Sequence, residues 1–242
     1  MSAPTTDHYL ASLTRDTEAL AAAAEVDLHA PIAACPAWDM ADLAFHVATV
    51  HRFWTHMLVQ RLQVPEGPGV ERPADDDLPG FVRAGLEPLV AAIRETPPDT
   101  PIWTWAPRQE AAFVPRRMAH ETGVHRWDAE AAVGTPRPID AAIAVDGIDE
   151  VLELVVPAGV QVRESPPIAA HLHCTDTEGE WVVTVDGGKV SVAHAHEKQP
   201  VAVRGSASDL NLLLWRRVPW DAVEVFGDEE MARALVALTD LE

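Results

Sequence analysis

Cysteine is nearly missing from this chain. Cys35 and Cys174 are the only two, far apart and in no Cys-x-x-Cys pair. A cysteine metal knuckle is thereby excluded, a secreted disulfide framework is not expected, and each thiol reads as a small buried apolar group. Basic residues are also scarce, with 18 Lys and Arg against 38 carboxylates, a net charge of −20. Such a surface repels phosphate backbones and anionic bilayers, so neither nucleic acid nor membrane is an expected partner. Long apolar runs are lacking too. No stretch approaches the roughly 20 uncharged apolar residues of a membrane span. The N-terminal segment MSAPTTDHYLASLTRDTEAL has no basic region followed by an apolar core, so it is not a signal peptide. A cytoplasmic protein is the expectation.

What remains is globular in character, with 48% apolar and 23% charged residues and only 13 Gly. The 20 prolines are spread through turns and linkers. A chain of 242 residues is comfortable for two domains, and either half can bury a core without a disulfide or metal staple.

The first half reads as helices. Apolar spacing predicts one from Asp7 to Glu25, a second from Met40 to Leu62 with Asp39 as N-cap, and a third from Phe81 to Ile93. A fourth runs from about Gln109 to Val133, despite Pro115 and Gly123, and a fifth run, IDAAIAVDGIDEVLELVVP, closes this half. Past Pro157 the texture changes: AGVQVRESPP reads as a linker, and IAAHLHC, EWVVTVD, KVSVAHA and PVAVRG read as strands. Gly187-Gly188 is a hairpin signal between two of them. ASDLNLLLWRR and DEEMARALVALT read as helices. The domains expected are thus 1–157, an all-α bundle, and 158–242, a small α+β unit.

Glu121 and His125 lie four apart in RRMAHETGVHRWDAE, on one helix face, where a carboxylate and an imidazole can chelate one ion. The spacing is common, and a solvent-facing Glu–His pair explains it as well. His46 sits in the apolar stripe of the second helix, where a lone histidine is ordinarily a hydrogen-bonded core residue. If the second and fourth helices are neighbours, the three converge, and facing helices are where bundles build metal sites. Three ligands would leave positions open for water, thiol or substrate. Around them, His120 reads as packing or support for the ligands. Asp42 either holds His46 or favours the helix N-terminus. Asp128 poses the same question for His125, with Arg126 as its rival partner. His51 and His56 read as surface or groove residues, and Trp38, Trp54, Trp103, Trp105 and Trp127 as core or cleft lining. His171/His173 and His194/His196 form two His-x-His pairs in strands; a second metal site is conceivable there, and a solvated polar sheet face is the plainer account.

These blocks resemble the mycothiol-dependent maleylpyruvate isomerase family across nearly the whole chain. CPAWDMADLAFHV, RRMAHETGVHRWDAE, VRGSASDLNLLLWRR and VEVFGDEEMARALV carry the resemblance. It implies a DinB-like up-down four-helix bundle followed by a sterol-carrier-like α+β domain. It implies a divalent metal, zinc by preference, on His46, Glu121 and His125, and mycothiol as thiol cosubstrate. It also implies an arginine brought from the C-terminal domain to pair with a carboxylate substrate; Arg217 is the choice, with Arg216 beside it.

The activity so implied is attack by a metal-activated thiolate on an electrophile or unsaturated acid, either as S-transfer or as cis–trans isomerisation. A thiol-independent metallohydrolase and a non-catalytic metal or small-ligand binding protein are the rival readings, and a monomer and a homodimer are both compatible with the sequence.

Overall fold

The computed structural model describes residues 3–240. It divides into one compact unit, Thr5–Arg137, and a second that starts at Pro138. Among the described residues no helix is long and apolar enough to cross a membrane.

The first unit is built on four helices, α1 (Thr6–Val26), α2 (Met40–Gln60), α3 (Leu78–Glu95) and α4 (Phe113–Ala132). Each start has a local cause. Thr5 caps α1 by accepting from the His8 amide, and Asp39 and Asp42 form a reciprocal capping box on α2. Pro79 lies in the first turn of α3 and Pro115 in that of α4, where a missing N–H costs nothing. α1 packs against α4 and α3, and α2 against α3 and α4. Leu13, Leu20, Leu43, Met57, Leu89 and Met118 fill the space between them. α4 is unusual in burying polar side chains around much of its circumference, including Arg117, His120, Thr122, His125, Arg126, Asp128 and Glu130. Some of these tie helices together: Arg126 donates to Glu130 at 2.8 Å and lies 3.4 Å from Asp16 of α1.

The second unit begins with α5 (Ala141–Glu150), continues through a π-helical turn at Val151–Val155 into α6 (Val156–Val162), and then forms a sheet. The expected boundary at 157 is displaced to 137/138, because the helix read as closing the bundle packs on the other unit. α5 lies against α7 (Ala207–Leu214), Gly147 facing Asn211, and the Ile139 amide donates to Ser208 Oγ at 2.9 Å. The expected linker is partly helix, since α6 runs to Val162. The strands are β1 (Ile168–Cys174), β2 (Glu180–Asp186), β3 (Lys189–Ala193), β4 (Val201–Gly205) and β5 (Glu224–Gly227), in the order β3-β2-β1-β4-β5. Only β1 and β4 run parallel. Gly187 and Gly188, at φ 53° and 78°, make the two-residue β2–β3 turn that requires left-handed backbone at both positions. Ile168, Ala170, Leu172 and Cys174 are buried on one face of β1. α8 (Glu229–Ala237) packs on β1 and β4.

Candidate metal centre

The bundle brings α2 and α4 together, and with them His46, Glu121 and His125. His46 Nε2 lies 3.0 Å from Glu121 Oε1, and His125 Nε2 lies 3.3 Å from the same oxygen. One donor atom from each residue falls within 4.8 Å of the others. Zinc held tetrahedrally by nitrogen and oxygen at about 2.0–2.2 Å sets neighbouring donors about 3.3–3.6 Å apart, so the donor set fits such an ion and needs to open by only a few tenths of an ångström to hold it. His46 is no core histidine: its side chain is 32% exposed, which opens the group on that side, whereas His125 is buried.

The surrounding contacts fix the trio. Asp128, one turn after His125, takes up its Nδ1 at 3.0 Å, leaving Nε2 for the centre. Arg117, one turn before Glu121, donates to Glu121 Oε2, so that Oε1 is the oxygen left facing both histidines. The Trp38 ring lies tilted against His46 with centroids 4.9 Å apart. Burial by itself would raise the Glu121 carboxyl, but Arg117, His125 and His46 outweigh it and hold it well below the usual range. Burial likewise would lower His125, yet Glu121 and Asp128 raise it to about 9.

Other expectations separate. Asp42 does not hold His46; it completes the α2 cap and accepts from Arg72 at 2.7 Å. Arg126, the rival partner for Asp128, is engaged with Glu130. His51, read as a surface or groove residue, is fully buried, with Nε2 2.9 Å from Thr122 Oγ1, because the α2 face it shares with Trp54 turns inward onto α4. His56 does line a cleft, formed with Phe81, Pro88 and the loop at Val70. His120 is buried edge-on against Tyr9. Trp54 is core, stacked on Trp103, whereas Trp105 is 45% exposed. Cys174 is buried and Cys35 only partly so. In the second unit Arg216 pairs with Asp240 at 2.5 Å, and Arg217 is half-buried, donating to the Trp215 carbonyl at 2.7 Å. Arg117 is the member of this site that pattern reading passed over. Its signal was present: an Arg four residues before a candidate ligand, on the same helix face.

A four-helix bundle with an open three-donor centre on facing helices, followed by a mixed-sheet α+β unit, defines a recognisable class. The model of the mycothiol maleylpyruvate isomerase N-terminal domain matches residues 10–130, and that of the MDMPI C-terminal domain matches residues 142–234. The chain belongs to the mycothiol maleylpyruvate isomerase family. The second match begins close to the 137/138 division. No curated protein matches the chain. Among solved structures it is similar to the crystal structure of the mycothiol-dependent maleylpyruvate isomerase, at 14% identity and a TM-score of 0.65, covering 93% of this chain and 95% of that one. A histidine-to-alanine variant of that isomerase gives the same figures. At that identity the likeness speaks for the fold.

Proposed function

We propose that this protein is a metal-dependent enzyme that uses mycothiol as a nucleophile against an electrophilic small molecule, by cis–trans isomerisation of an unsaturated acid or by S-transfer. The observation that carries this reading is the convergence of His46, Glu121 and His125 on one point, together with membership of the family. The group includes no cysteine, so the thiol must come from outside. A divalent ion held there, zinc being the one that suits two imidazoles and a carboxylate, supplies the Lewis acidity that makes a thiol anionic at neutral pH.

The chain's own residues do the rest. Glu121 brings a negative charge, and Arg117 restricts it to one oxygen. Asp128 fixes the tautomer of His125, and partly exposed His46 leaves room for thiol and acceptor. Arg217 is assigned to the carboxylate of the acceptor, Arg216 being taken up by Asp240. Addition of a thiolate sulfur to an activated double bond leaves a single bond about which the chain can rotate. Expulsion of the same thiolate then gives the isomer, and its retention, with a proton taken up from water at the neighbouring carbanionic carbon, gives S-transfer.

The test is metal analysis of the wild type and of His46→Ala, followed by mycothiol consumption against a panel of unsaturated acids and other electrophiles. Metal lost from the variant, with thiol turnover lost alongside, supports the reading. A metal content unmoved by His46→Ala sinks the site. Full metal with no effect of mycothiol points to a hydrolase or a binding protein.

A further inference from the structure

The two His-x-His pairs part company in the fold. His171 and His173 both sit on β1, two residues apart and so on one face, opposite the buried face formed by Ala170, Leu172 and Cys174. His194 and His196 lie beyond the end of β3 and diverge: His194 turns to Asp149 at 3.2 Å, and His196 turns to Glu180. Glu180 opens β2 and is the direct cross-strand partner of His173, so it emerges on the His171/His173 face. Three imidazoles therefore surround one carboxylate. His173 Nδ1 is 2.5 Å from Glu180 Oε1, while His196 Nδ1 and His171 Nε2 are 2.9 and 3.8 Å from Oε2.

A polar sheet face held by hydrogen bonds would give each buried nitrogen a partner of its own. Here His171 Nε2 and His173 Nδ1 are both buried without a hydrogen bond. For His173 the carboxylate is close but out of line for N–H donation, and for His171 it is too far. The His171 residue as a whole is only 8% exposed. One donor atom from each of the four residues lies within 4.8 Å of all the others. Arg204, the β4 neighbour of His173, lies instead 3.7 Å from Glu224.

We propose that His171, His173, Glu180 and His196 form a second metal site, for one divalent transition-metal ion of the zinc type. Three imidazoles and a carboxylate complete a tetrahedral set, leaving no position for substrate; such a closed site is structural. Imidazole-rich donors disfavour calcium and magnesium, which take oxygen ligands. The ion would satisfy His171 Nε2 and tie β1, β2 and the 194–200 segment together. His196, with its side chain 78% exposed, supplies the route of entry from solvent.

The test uses the full chain with the first centre removed, His46→Ala with His125→Ala, loaded with zinc or cobalt and freed of loose metal. One bound equivalent, a visible tetrahedral cobalt band and a rise in Tm on adding zinc are expected. All three should vanish on further change of His196→Ala or His171→Ala. His196 lies outside the strands, so its variant tests ligation without breaking the sheet; a native circular dichroism spectrum confirms that. Absence of metal from the doubly substituted protein, or a metal content unmoved by both further changes, overturns the proposal. A wild type holding one equivalent that His196→Ala removes and His46→Ala leaves would support this site and sink the bundle centre instead.

Discussion

His125 Nδ1 stands 3.0 Å from Asp128 Oδ2, one turn along the same helix, and that contact decides which ring nitrogen faces Glu121. With Nδ1 engaged as a donor, Nε2 is the nitrogen turned to the centre, and it offers its lone pair once a bound ion displaces its proton. Asp128→Asn keeps the shape of the side chain but removes its charge. Loss of such a supporting carboxylate typically weakens metal binding about 10–100-fold. Competition titration against a chelator should show that weakening in the variant, with far-ultraviolet circular dichroism unchanged. Unaltered affinity would mean that Asp128 serves the helix and not the ligand.

Arg117 and Glu121 form a second such pair, with Arg117 buried and its guanidinium on the carboxylate oxygen turned away from the histidines. Removing Arg117 takes away the largest favourable charge on Glu121 but leaves His125 and His46, so the cost falls short of a fully uncompensated buried charge, at about 2 kcal/mol. Arg117→Met should therefore destabilise the metal-free protein by that order in urea unfolding. Added zinc would restore the missing positive charge beside Glu121, so the increase in Tm on zinc addition should be larger in the variant than in the wild type. An equal increase in both would show that Glu121 does not face the ion.

The sequence carried the helical bundle plainly because the 3.6-residue stripe of α2 and its Asp39 cap are local signals. The same is true of the β2–β3 hairpin, written in Gly187-Gly188. What stayed hidden was non-local. Nothing in the run from Asp140 to Val162 states which unit α5 will pack against, so the boundary was expected at the change of texture, after Pro157. His51 and His46 lie five residues apart on α2, about 140° around the helix, so they face different ways; which of the two faces turns inward onto α4 is what buries His51 and leaves His46 partly exposed. The centre itself was legible as a spacing on α4 and an out-of-place histidine on α2, whereas the grip of Arg117 on the second carboxylate oxygen needed coordinates. In the sheet, alternation placed His171 and His173 together, but the chain leaves β3 at Ala193, so the second pair escaped the rule that strands obey.

His51 makes a pH prediction with a definite sign. Burial lowers its pKa from the ordinary 6.5 to about 4, with Glu121 opposing and Arg52 and His46 adding to the fall. Between those two values the unfolded chain binds a proton that the folded one refuses, so stability rises with pH. The contribution is complete above 6.5 and is lost as pH falls towards 4, about 3 kcal/mol across the window at 1.36 kcal/mol per pH unit. Urea unfolding at pH 7 and pH 4.5 should show a smaller loss for His51→Gln than for the wild type. Parallel losses would place the acid sensitivity elsewhere.

Gly159 in α6 reverses the usual effect of glycine in a helix. Replacing such a residue by alanine ordinarily stabilises by about 1 kcal/mol, because the unfolded chain loses freedom. At Gly159 an added Cβ would lie 1.8 Å from the Leu238 carbonyl oxygen and 2.8 Å from its carbon, at the end of α8. Both obstructing atoms are backbone, so no rotamer change relieves the overlap, and α6 and the end of α8 would have to separate. Gly159→Ala should cost about 2–3 kcal/mol, as overpacked sites do. Gly80, in the first turn of α3, has nothing within 4 Å of the same hypothetical atom and serves as the control. Thermal unfolding should show Tm falling for Gly159→Ala and unchanged or raised for Gly80→Ala. A stable Gly159→Ala protein would mean that the α6–α8 contact yields easily, and that the close approach is not what keeps glycine there.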